Sequence, residues 1–385
     1  MDETGFPSRF RGEILTPSAP GLAALTAALQ QGRQIRTRQD RRMPVSAGAG
    51  PAHLLACETS GSTGAPRTIL RRAASWRRSF AVTARHHAIG PGDRYAGLGA
   101  LGHSITLYAA LEGLSLGADL ALLGDLPARR QARALRDLAI TVLYATPAQL
   151  RLMCLGARAE GVAALPRLRL VLTGGGPCPA PLRADLARLC PAAALWRFYG
   201  SGETSFVSRA DPDAPPDSVG RPYPGVDLRL DARGEVRVRS PYLFEGYEGA
   251  RAPRPRLRDG FLATGEIGHL DAAGYLFLRG RADRMVTVAD RNVFPERIEA
   301  VISRDPAVAL CAVIARPDAR RGHRITCVLQ GPERDGIVGR LRRLCRDEIG
   351  PESVPHDFVF VARLPLLPAG KPDLAGLARQ LGPAR

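Results

Sequence analysis

The segment AITVLYATPAQLRLMCLGARAEGVAALPRLRLVLTGGG, residues 139–176, decides the fold class. Its two ends, AITVLYA (139–145) and LRLVLTGGG (168–176), are short apolar runs that stop at turn residues, which is typical of buried strands. The stretch between them, residues 147–165, has its apolar positions at helical spacing. Strands that alternate with helices predict a largely parallel sheet.

Two further patterns follow along the chain. GEVRVRS (234–240) alternates with period two and GYLFLRG (274–280) follows a glycine turn, so this region is predicted to be antiparallel sheet or a small barrel. From about residue 284, an α+β unit of about 100 residues is predicted. Its helices are PERIEAVISR and DGIVGRLRRLCRDEI, and its strands are VALCAVIAR, HRITCVLQG and HDFVFVARL.

The front of the chain is weakly patterned. Within residues 1–50, the charged run RQIRTRQDRR (33–42) is interpreted as a solvated face or a linker. No apolar run approaches the roughly 18 residues of a membrane span, and MDETGFPSRF is too polar for a signal peptide. We therefore expect a soluble, cytoplasmic protein. At 385 residues the chain exceeds what one core usually serves, so one large and one smaller domain are expected.

The composition is strongly basic, with a formal net charge of +17. The arginines are spread over the whole length among abundant Ala, Leu, Gly and Pro, which favours a GC-rich coding bias; an acidic protein partner comes second and nucleic acid last, since no nucleic-acid-binding motif is visible. The cysteines lack the paired short spacings of a zinc or redox site and are expected to be reduced thiols. They are Cys57, Cys154, Cys178, Cys190, Cys311, Cys327 and Cys345.

Against 53 arginines the chain has a single lysine, Lys371, in LPLLPAGK (364–371). A coding bias that has replaced lysine elsewhere would be resisted where chemistry needs a compact, mobile ammonium rather than a planar guanidinium. Composition alone raises the question of what position 371 does, and does not answer it.

TSGSTGAPR (59–67) is the first candidate binding segment. Its Ser, Thr and Gly residues offer hydroxyl and backbone N–H groups, and Arg67 adds a positive charge, a combination that suits a polyphosphate. The spacing of a Walker A loop is absent. A flexible turn is the alternative interpretation.

TSGSTGAPR is followed in order by LTGGG (172–176), FYGSGET (198–204), ATGEIGHLDAAGYLFLRGRADR (263–284) and LPLLPAGK. Over about residues 55–375, this series resembles the adenylate-forming superfamily of acyl-CoA and aryl-CoA synthetases, adenylation domains and luciferases. The resemblance implies an α/β fold with a large N-terminal domain of mixed, partly parallel sheets and helices (1–281) and a small, mobile α+β C-terminal domain (282–385).

The resemblance also implies two reaction steps. A carboxylate attacks the α-phosphate of ATP to give an acyl-adenylate and pyrophosphate, and a thiol then takes the acyl group and releases AMP. Lys371 would bridge the substrate carboxylate and the α-phosphate, Glu203 would hold Mg²⁺, Asp283 would be the hinge, and His103 and Gly175 would lie near the acid. The nucleotide would contact Thr59, Ser60, Gly61, Ser62, Thr63, Gly64, Arg67, Gly174, Gly175, Gly176, Tyr199, Gly200, Ser201, Thr204, Glu266 and Arg281.

Several positions depart from the family pattern. Arg67 replaces the usual Lys, Glu266 the usual Asp, and Gly202 a usual Thr. One hydrogen bond to phosphate is then either missing or supplied by Ser201 or Thr204. Ala289 and Asp290 stand where glycines are common near the thiol acceptor. Only 58 residues precede the phosphate loop, where the family has well over 100, so a shortened N-terminal region is expected.

The resemblance thus implies an ATP- and Mg²⁺-dependent, AMP-forming ligase for a small carboxylic acid, with CoA as the default acceptor. The close alternative is transfer to the phosphopantetheine arm of an acidic acyl carrier protein. A catalytically degenerate homologue that binds a nucleotide or a partner is the alternative from another class. No nucleic acid and no membrane span are expected.

Overall fold

The computed structural model describes residues 5–40, 42–59, 67–249, 255–288, 291–318, 322–367 and 372–382. Up to residue 201 these form α1 (Leu22–Gln30), β1 (Ile35–Thr37), β2 (Val45–Ala47), β3 (Leu54–Thr59), β4 (Arg67–Arg72), α2 (Ala73–His87), β5 (Arg94–Gly97), α3 (Ser104–Leu116), β6 (Asp119–Leu122), α4 (Ala128–Asp137), β7 (Val142–Ala145), α5 (Pro147–Ala159), β8 (Leu170–Gly174), α6 (Ala180–Leu189) and β9 (Ala194–Ser201).

The strands that follow are β10 (Ser205–Ala210), β11 (Arg221–Pro222), β12 (Asp227–Leu230), β13 (Glu235–Arg239), β14 (Gly246–Tyr247), β15 (Leu257–Arg258), β16 (Phe261–Leu270), β17 (Leu276–Arg281), β18 (Val286–Val288) and β19 (Arg291–Val293). The remaining elements are α7 (Pro295–Ile302), β20 (Cys311–Asp318), β21 (Gly322–Gln330), α8 (Ile337–Ile349), a 3-10 turn (Pro351–Ser353), β22 (Asp357–Val361) and α9 (Leu374–Leu381). Within these described ranges, no helix has the length and apolar character needed to cross a membrane.

The largest sheet contains the parallel strands predicted from residues 139–176. Its seven strands have the order β11-β10-β9-β8-β7-β5-β6, in which β5 to β9 are parallel and β10 is antiparallel to β9. Helix α5 begins at a capping box, where Thr146 and Gln149 exchange side-chain and backbone hydrogen bonds. It ends at Ala159, six residues before the predicted end, because Gly161 has φ +66° and interrupts the helical backbone.

Helices cover both faces of this sheet. Helices α4, α5 and α6 pack on one face, where Leu143 and Val171 are buried. Helices α2 and α3 pack on the other face, over Tyr144 and Leu172. Because neighbouring residues of a strand point to opposite faces, two-sided burial requires the continuous apolar runs seen in the sequence.

The charged run at 33–42 contains a strand, so its interpretation as a solvated face or linker is wrong. Strand β1 pairs with β3 in a second sheet, of order β14-β4-β3-β1-β2. Ile35 and Thr37 are each 1% exposed, whereas Arg36 between them forms an ion pair with Glu248. The strand alternates as a half-buried strand does, but it is too short for the alternation to stand out among its arginines.

The antiparallel region and the α+β unit predicted from the sequence are both present. Strands β12, β13, β16 and β15 form an antiparallel sheet, with β17 also paired to β16. In the C-terminal part, helices α7 and α8 bury Ile298 and Leu341 against the β20-β21-β22 sheet. Helix α9, which the sequence analysis did not predict, buries Leu377 against the other face of that sheet.

The large and small parts of the chain also touch away from their connection. Arg151 of α5 donates hydrogen bonds to the carbonyl oxygens of Ser303 (3.3 Å) and Val308, just beyond α7. Arg304 forms an ion pair with Asp217 at 3.0 Å. The division into a large and a small unit agrees with the sequence, and the boundary at 281/282 remains a prediction.

The seven cysteines form no disulfide, as expected. All seven lie in the described part of the chain; six are buried and Cys178 is half-buried. Burial raises the pKa of Cys57 to about 11, so that thiol stays protonated. These are inert packing thiols.

Candidate active site

Several of the candidate site residues lie at the carboxyl edge of the seven-stranded sheet. Parallel strands end at the same edge, and loops at this carboxyl edge are where open α/β sheets bind ligands. Gly174 ends β8, the turn 201–204 follows β9, and His103 precedes α3 after β5. The fold therefore places motifs that are about 100 residues apart in the sequence along the same edge of the sheet.

The three glycines at 174–176 have different local environments. A Cβ on Gly174 would overlap the ring of Phe198, so this glycine allows β8 and β9 to pack. Gly175 has φ +82°, a backbone conformation that favours glycine. A Cβ on Gly176 would meet nothing within 4 Å, so open space adjoins the backbone there. A ligand can therefore approach the backbone closely at Gly176, and Gly174 is blocked by Phe198.

The turn after β9 is organised by its own hydroxyls. Thr204 is buried, and its Oγ1 accepts from the backbone N–H of Ser201 at 2.9 Å. The Ser201 Oγ accepts from the backbone N–H groups of Glu203 and Thr204, each at 3.2 Å. Both hydroxyls proposed to replace the missing one at position 202 therefore take part in the turn itself. A Cβ on Gly202 would lie 2.9 Å from Ile69 and 3.2 Å from Thr59, so the strands behind the turn fit closely around glycine.

Arg71 holds this turn through hydrogen bonds to its backbone, and the sequence analysis did not identify this residue. Its side chain is 1% exposed and donates to the carbonyl oxygens of Gly202 (2.5 Å), Glu203 (3.4 Å) and Tyr242. It forms no ion pair with any described residue, and burial lowers its pKa to about 10. One signal was available, because Arg71 shares the face of its strand with the buried Ile69.

Glu203, in the same turn, is half-buried. Its Oε1 accepts a hydrogen bond from the Tyr247 hydroxyl at 3.0 Å, and the guanidinium of Arg67 lies 5.8 Å from the centre of the Tyr247 ring. Arg67 is the last residue of the predicted phosphate segment, and its carbonyl accepts from the Thr59 hydroxyl at 3.2 Å. Glu203 therefore lies near Arg67, through the Tyr247 side chain that contacts both.

Four more predicted residues form a second polar group. Arg281 forms a two-pronged ion pair with Asp283, at 2.8 and 2.9 Å, and its Nη1 lies 3.5 Å from Glu266. Glu266 and Arg281 are paired across β16 and β17. Burial raises the pKa of the Tyr199 hydroxyl, and the nearby charge of Glu266 raises it further. The predicted aromatic, carboxylate, arginine and hinge residues thus lie together.

Helix α3 contributes two buried acid–base groups. His103 is at its N-terminal end and is 6% exposed. Two turns further, Glu112 is fully buried and accepts hydrogen bonds from the hydroxyls of Tyr95 (3.2 Å), Tyr108 (3.2 Å) and Tyr144 (2.6 Å). Burial raises the pKa of Glu112 to about 7. The sequence analysis did not identify this carboxylate.

The remaining candidates lie outside the described residues. They are Ser60, Gly61, Ser62, Thr63, Gly64 and Lys371, together with Ala289 and Asp290. On either side of the first group, Thr59 and Arg67 are register partners of β3 and β4.

The donors present suit Mg²⁺ shared with a nucleotide. The described residues contain no group of three His, Cys, Asp or Glu side chains that would hold a metal by themselves. Within them, the hydrogen bonds of the Glu203 carboxylate involve Oε1, which leaves Oε2 for a ligand. One carboxylate plus substrate phosphates is a common Mg²⁺ ligand set.

Two family models match the chain. The AMP-binding enzyme model matches residues 29–248, and the AMP-binding enzyme C-terminal domain model matches residues 297–371. An uncharacterized acyl–CoA ligase of Bacillus subtilis is 32% identical over 81% of this chain, and an L-proline–[L-prolyl-carrier protein] ligase of Streptomyces coelicolor is 31% identical over 84%. The chain spans 65% of the length of each of these relatives.

A solved structure supports the same assignment. The amide bond synthetase of Marinactinospora thermotolerans aligns with a TM-score of 0.72 and 27% identity, over 88% of this chain and 72% of that chain. The match to the AMP-binding model covers more than half of the 385 residues. The chain belongs to the family of AMP-binding enzymes, which are adenylate-forming proteins.

Proposed function

We propose that this protein is an AMP-forming ligase. A carboxylate oxygen of the acid attacks the α-phosphorus of ATP and pyrophosphate leaves; an acceptor then attacks the acyl carbon and AMP leaves. The observation that carries the proposal is the turn at 201–204, whose carbonyl groups accept hydrogen bonds from Arg71 and whose Glu203 carboxylate lies beside Tyr247 and near Arg67. Family membership supports the same reaction.

The residues of the site have distinct proposed roles. Glu203 Oε2 would bind Mg²⁺, which neutralises phosphate charge when bound. Tyr199 would present its ring to the adenine, and Glu266 would accept from the ribose hydroxyls. Arg281 would bind the ribose or a phosphate, and its ion pair with Asp283 would connect that contact to the proposed hinge. Lys371 would place its ammonium between the acid and the α-phosphate.

The identity of the acceptor in the second half-reaction is a separate proposal. The relatives named above include a CoA ligase, a carrier-protein ligase and an amide bond synthetase. We propose CoA as the default thiol. A carrier protein is the second candidate, because carriers are acidic and the net charge of +17 would attract one.

Acid-dependent exchange of labelled pyrophosphate into ATP tests the first half-reaction. Over a panel of aryl and short aliphatic acids, we expect exchange with at least one acid in the presence of Mg²⁺. Glu203→Gln should slow exchange and raise the Mg²⁺ concentration needed for half-maximal exchange, because an amide has no negative charge to bind the cation. Glu245→Gln is the matched control: this carboxylate lies in a neighbouring loop, pairs with Arg72, and should exchange at the parental rate.

Two results would contradict the proposal. Exchange that is absent across a broad panel, or that does not depend on the acid, would favour a degenerate nucleotide-binding homologue. Unchanged Mg²⁺ dependence in Glu203→Gln would remove Glu203 from the metal site. Offering CoA, a phosphopantetheine carrier or an amine after adenylate formation would then identify the acceptor.

A further inference from the structure

Tyr247 lies between groups that come from three separate elements. Its hydroxyl donates a hydrogen bond to Glu203 Oε1 at 3.0 Å, although the two residues are 44 positions apart in the sequence. One face of its ring has the Arg67 guanidinium 5.8 Å from the centre. Phe244 packs edge-on against the ring, with the centroids 5.0 Å apart and the planes at 73°. The ring is therefore in contact with both a cation and an aromatic side chain.

The backbone around Tyr247 is held by strand pairing and hydrogen bonds. It belongs to β14, where Tyr247 is the register partner of Ile69 in β4. On either side, the N–H groups of Glu245 and Glu248 donate to the carbonyls of Leu70 and Thr68, each at 2.8 Å. Two residues before β14, the N–H of Phe244 donates to the carbonyl of Glu203 itself at 2.8 Å.

Glu203 is thus constrained at two levels. Arg71 and Phe244 both donate hydrogen bonds to its backbone carbonyl. Within the described part of the chain, the hydrogen bond that orients the carboxylate comes from Tyr247.

We propose that Tyr247 is a positioning residue that orients Glu203 for the divalent cation accompanying the nucleotide. The hydroxyl donates to Oε1 and leaves Oε2 for the cation, so the carboxylate is already oriented before the cation binds. Groups that hydrogen-bond a ligating carboxylate are part of how a metal site is built. This inference rests on the proposed function, because it takes Glu203 as the metal ligand.

Mn²⁺ binding in the presence of ATP tests the inference without an acid substrate or turnover. The variant is Tyr247→Phe, and the matched control is Tyr242→Phe, which also removes one hydroxyl from this segment but one that donates to the Pro224 carbonyl at 2.7 Å. We expect Tyr247→Phe to weaken Mn²⁺ binding to the protein–ATP complex about tenfold, the scale of losing a hydrogen bond to a charged group. Tyr242→Phe should retain parental Mn²⁺ affinity, and ATP binding without metal should be the same in all three proteins.

A double-variant comparison separates positioning from general destabilisation. In the Glu203→Gln background, Tyr247→Phe should cause no further loss of Mn²⁺ affinity, because there is no carboxylate left to orient. An equal loss in both backgrounds would show a structural effect and overturn the inference, as would parental Mn²⁺ affinity in Tyr247→Phe. If the parental protein itself binds no Mn²⁺ with ATP, the proposed function fails and the positioning role fails with it.

Discussion

At position 371, lysine and arginine differ in the shape of the charge rather than in its sign. An ammonium is compact and can approach two crowded anionic oxygens, whereas a guanidinium presents a rigid plane. We expect Lys371→Ala to slow adenylation roughly 10²- to 10³-fold, the scale of removing a major electrostatic group from a transition state. Lys371→Arg should also be slow, although it keeps the charge.

The control for this change is Arg379→Lys in helix α9, which exchanges the same two groups on an exposed side chain of the small unit. It should adenylate at the parental rate. If Lys371→Arg does so too, the single lysine of the chain is an accident of composition.

The limits of prediction at this scale follow from distance along the chain. Glu203, Tyr199 and Glu266 lie inside motifs whose order and composition could be recognised in the sequence. Arg71 contacts carbonyl groups 131 and 171 residues away, and Tyr247 contacts a carboxylate 44 residues away. Such contacts are created by tertiary structure, and no local pattern encodes them.

Helix α3 contains an internal titration that should affect stability. Glu112 has a folded-state pKa of about 7 against an ordinary value of 4.5, and the tyrosines that face it have pKa values raised well above 10 by burial, so they stay protonated. Above about pH 4.5, the unfolded chain loses this proton while the folded chain keeps it. The stability contribution is therefore present below pH 4.5 and is lost as pH rises to about 7, amounting to about 3 kcal/mol.

Glu112→Gln removes the titrating group and keeps the side-chain shape. Urea unfolding of both proteins at several pH values between 4.5 and 8 measures the difference in unfolding free energy. We expect the parental protein to lose stability relative to the variant across this range, and to change no further above it. Parallel pH profiles would mean that Glu112 is ionised in the folded protein.

Elements were predictable where the apolar pattern was long enough to be distinctive. Strand β8 and helix α5 follow from residues 139–176, since a buried strand must be apolar on both faces. Strand β1 was missed because it has three residues and one of them is Arg36. Helix α9 was not predicted, because the sequence analysis assigned no element after the strand at 356–364.

For the whole molecule, Arg151 is a testable contact between the large and small units. Its hydrogen bonds to the carbonyls of Ser303 and Val308 hold the segment after α7 against α5. Arg151→Ala should raise amide hydrogen exchange in residues 303–308 by about tenfold, because the loss of bonds from a charged donor lowers the free energy of local opening.

Arg158→Ala is the control for that change. Arg158 lies on the same helix but pairs with Asp185, within the large unit, so its removal should leave exchange at 303–308 unchanged. Equal exchange in the parental protein and Arg151→Ala would mean that other contacts hold the two units together.

The burial of Arg71 has a consequence for biosynthesis. The ribosome makes Arg71 171 residues before Tyr242, one of its carbonyl partners, a delay on the order of ten seconds at usual elongation rates. During that interval the guanidinium must stay in water, because burying a charge without acceptors is strongly unfavourable. The β1–β4 sheet therefore emerges unfinished, with the β4 edge that later binds β14 still open. A nascent chain arrested before residue 242 would expose this edge to chaperones and to other unpaired strands.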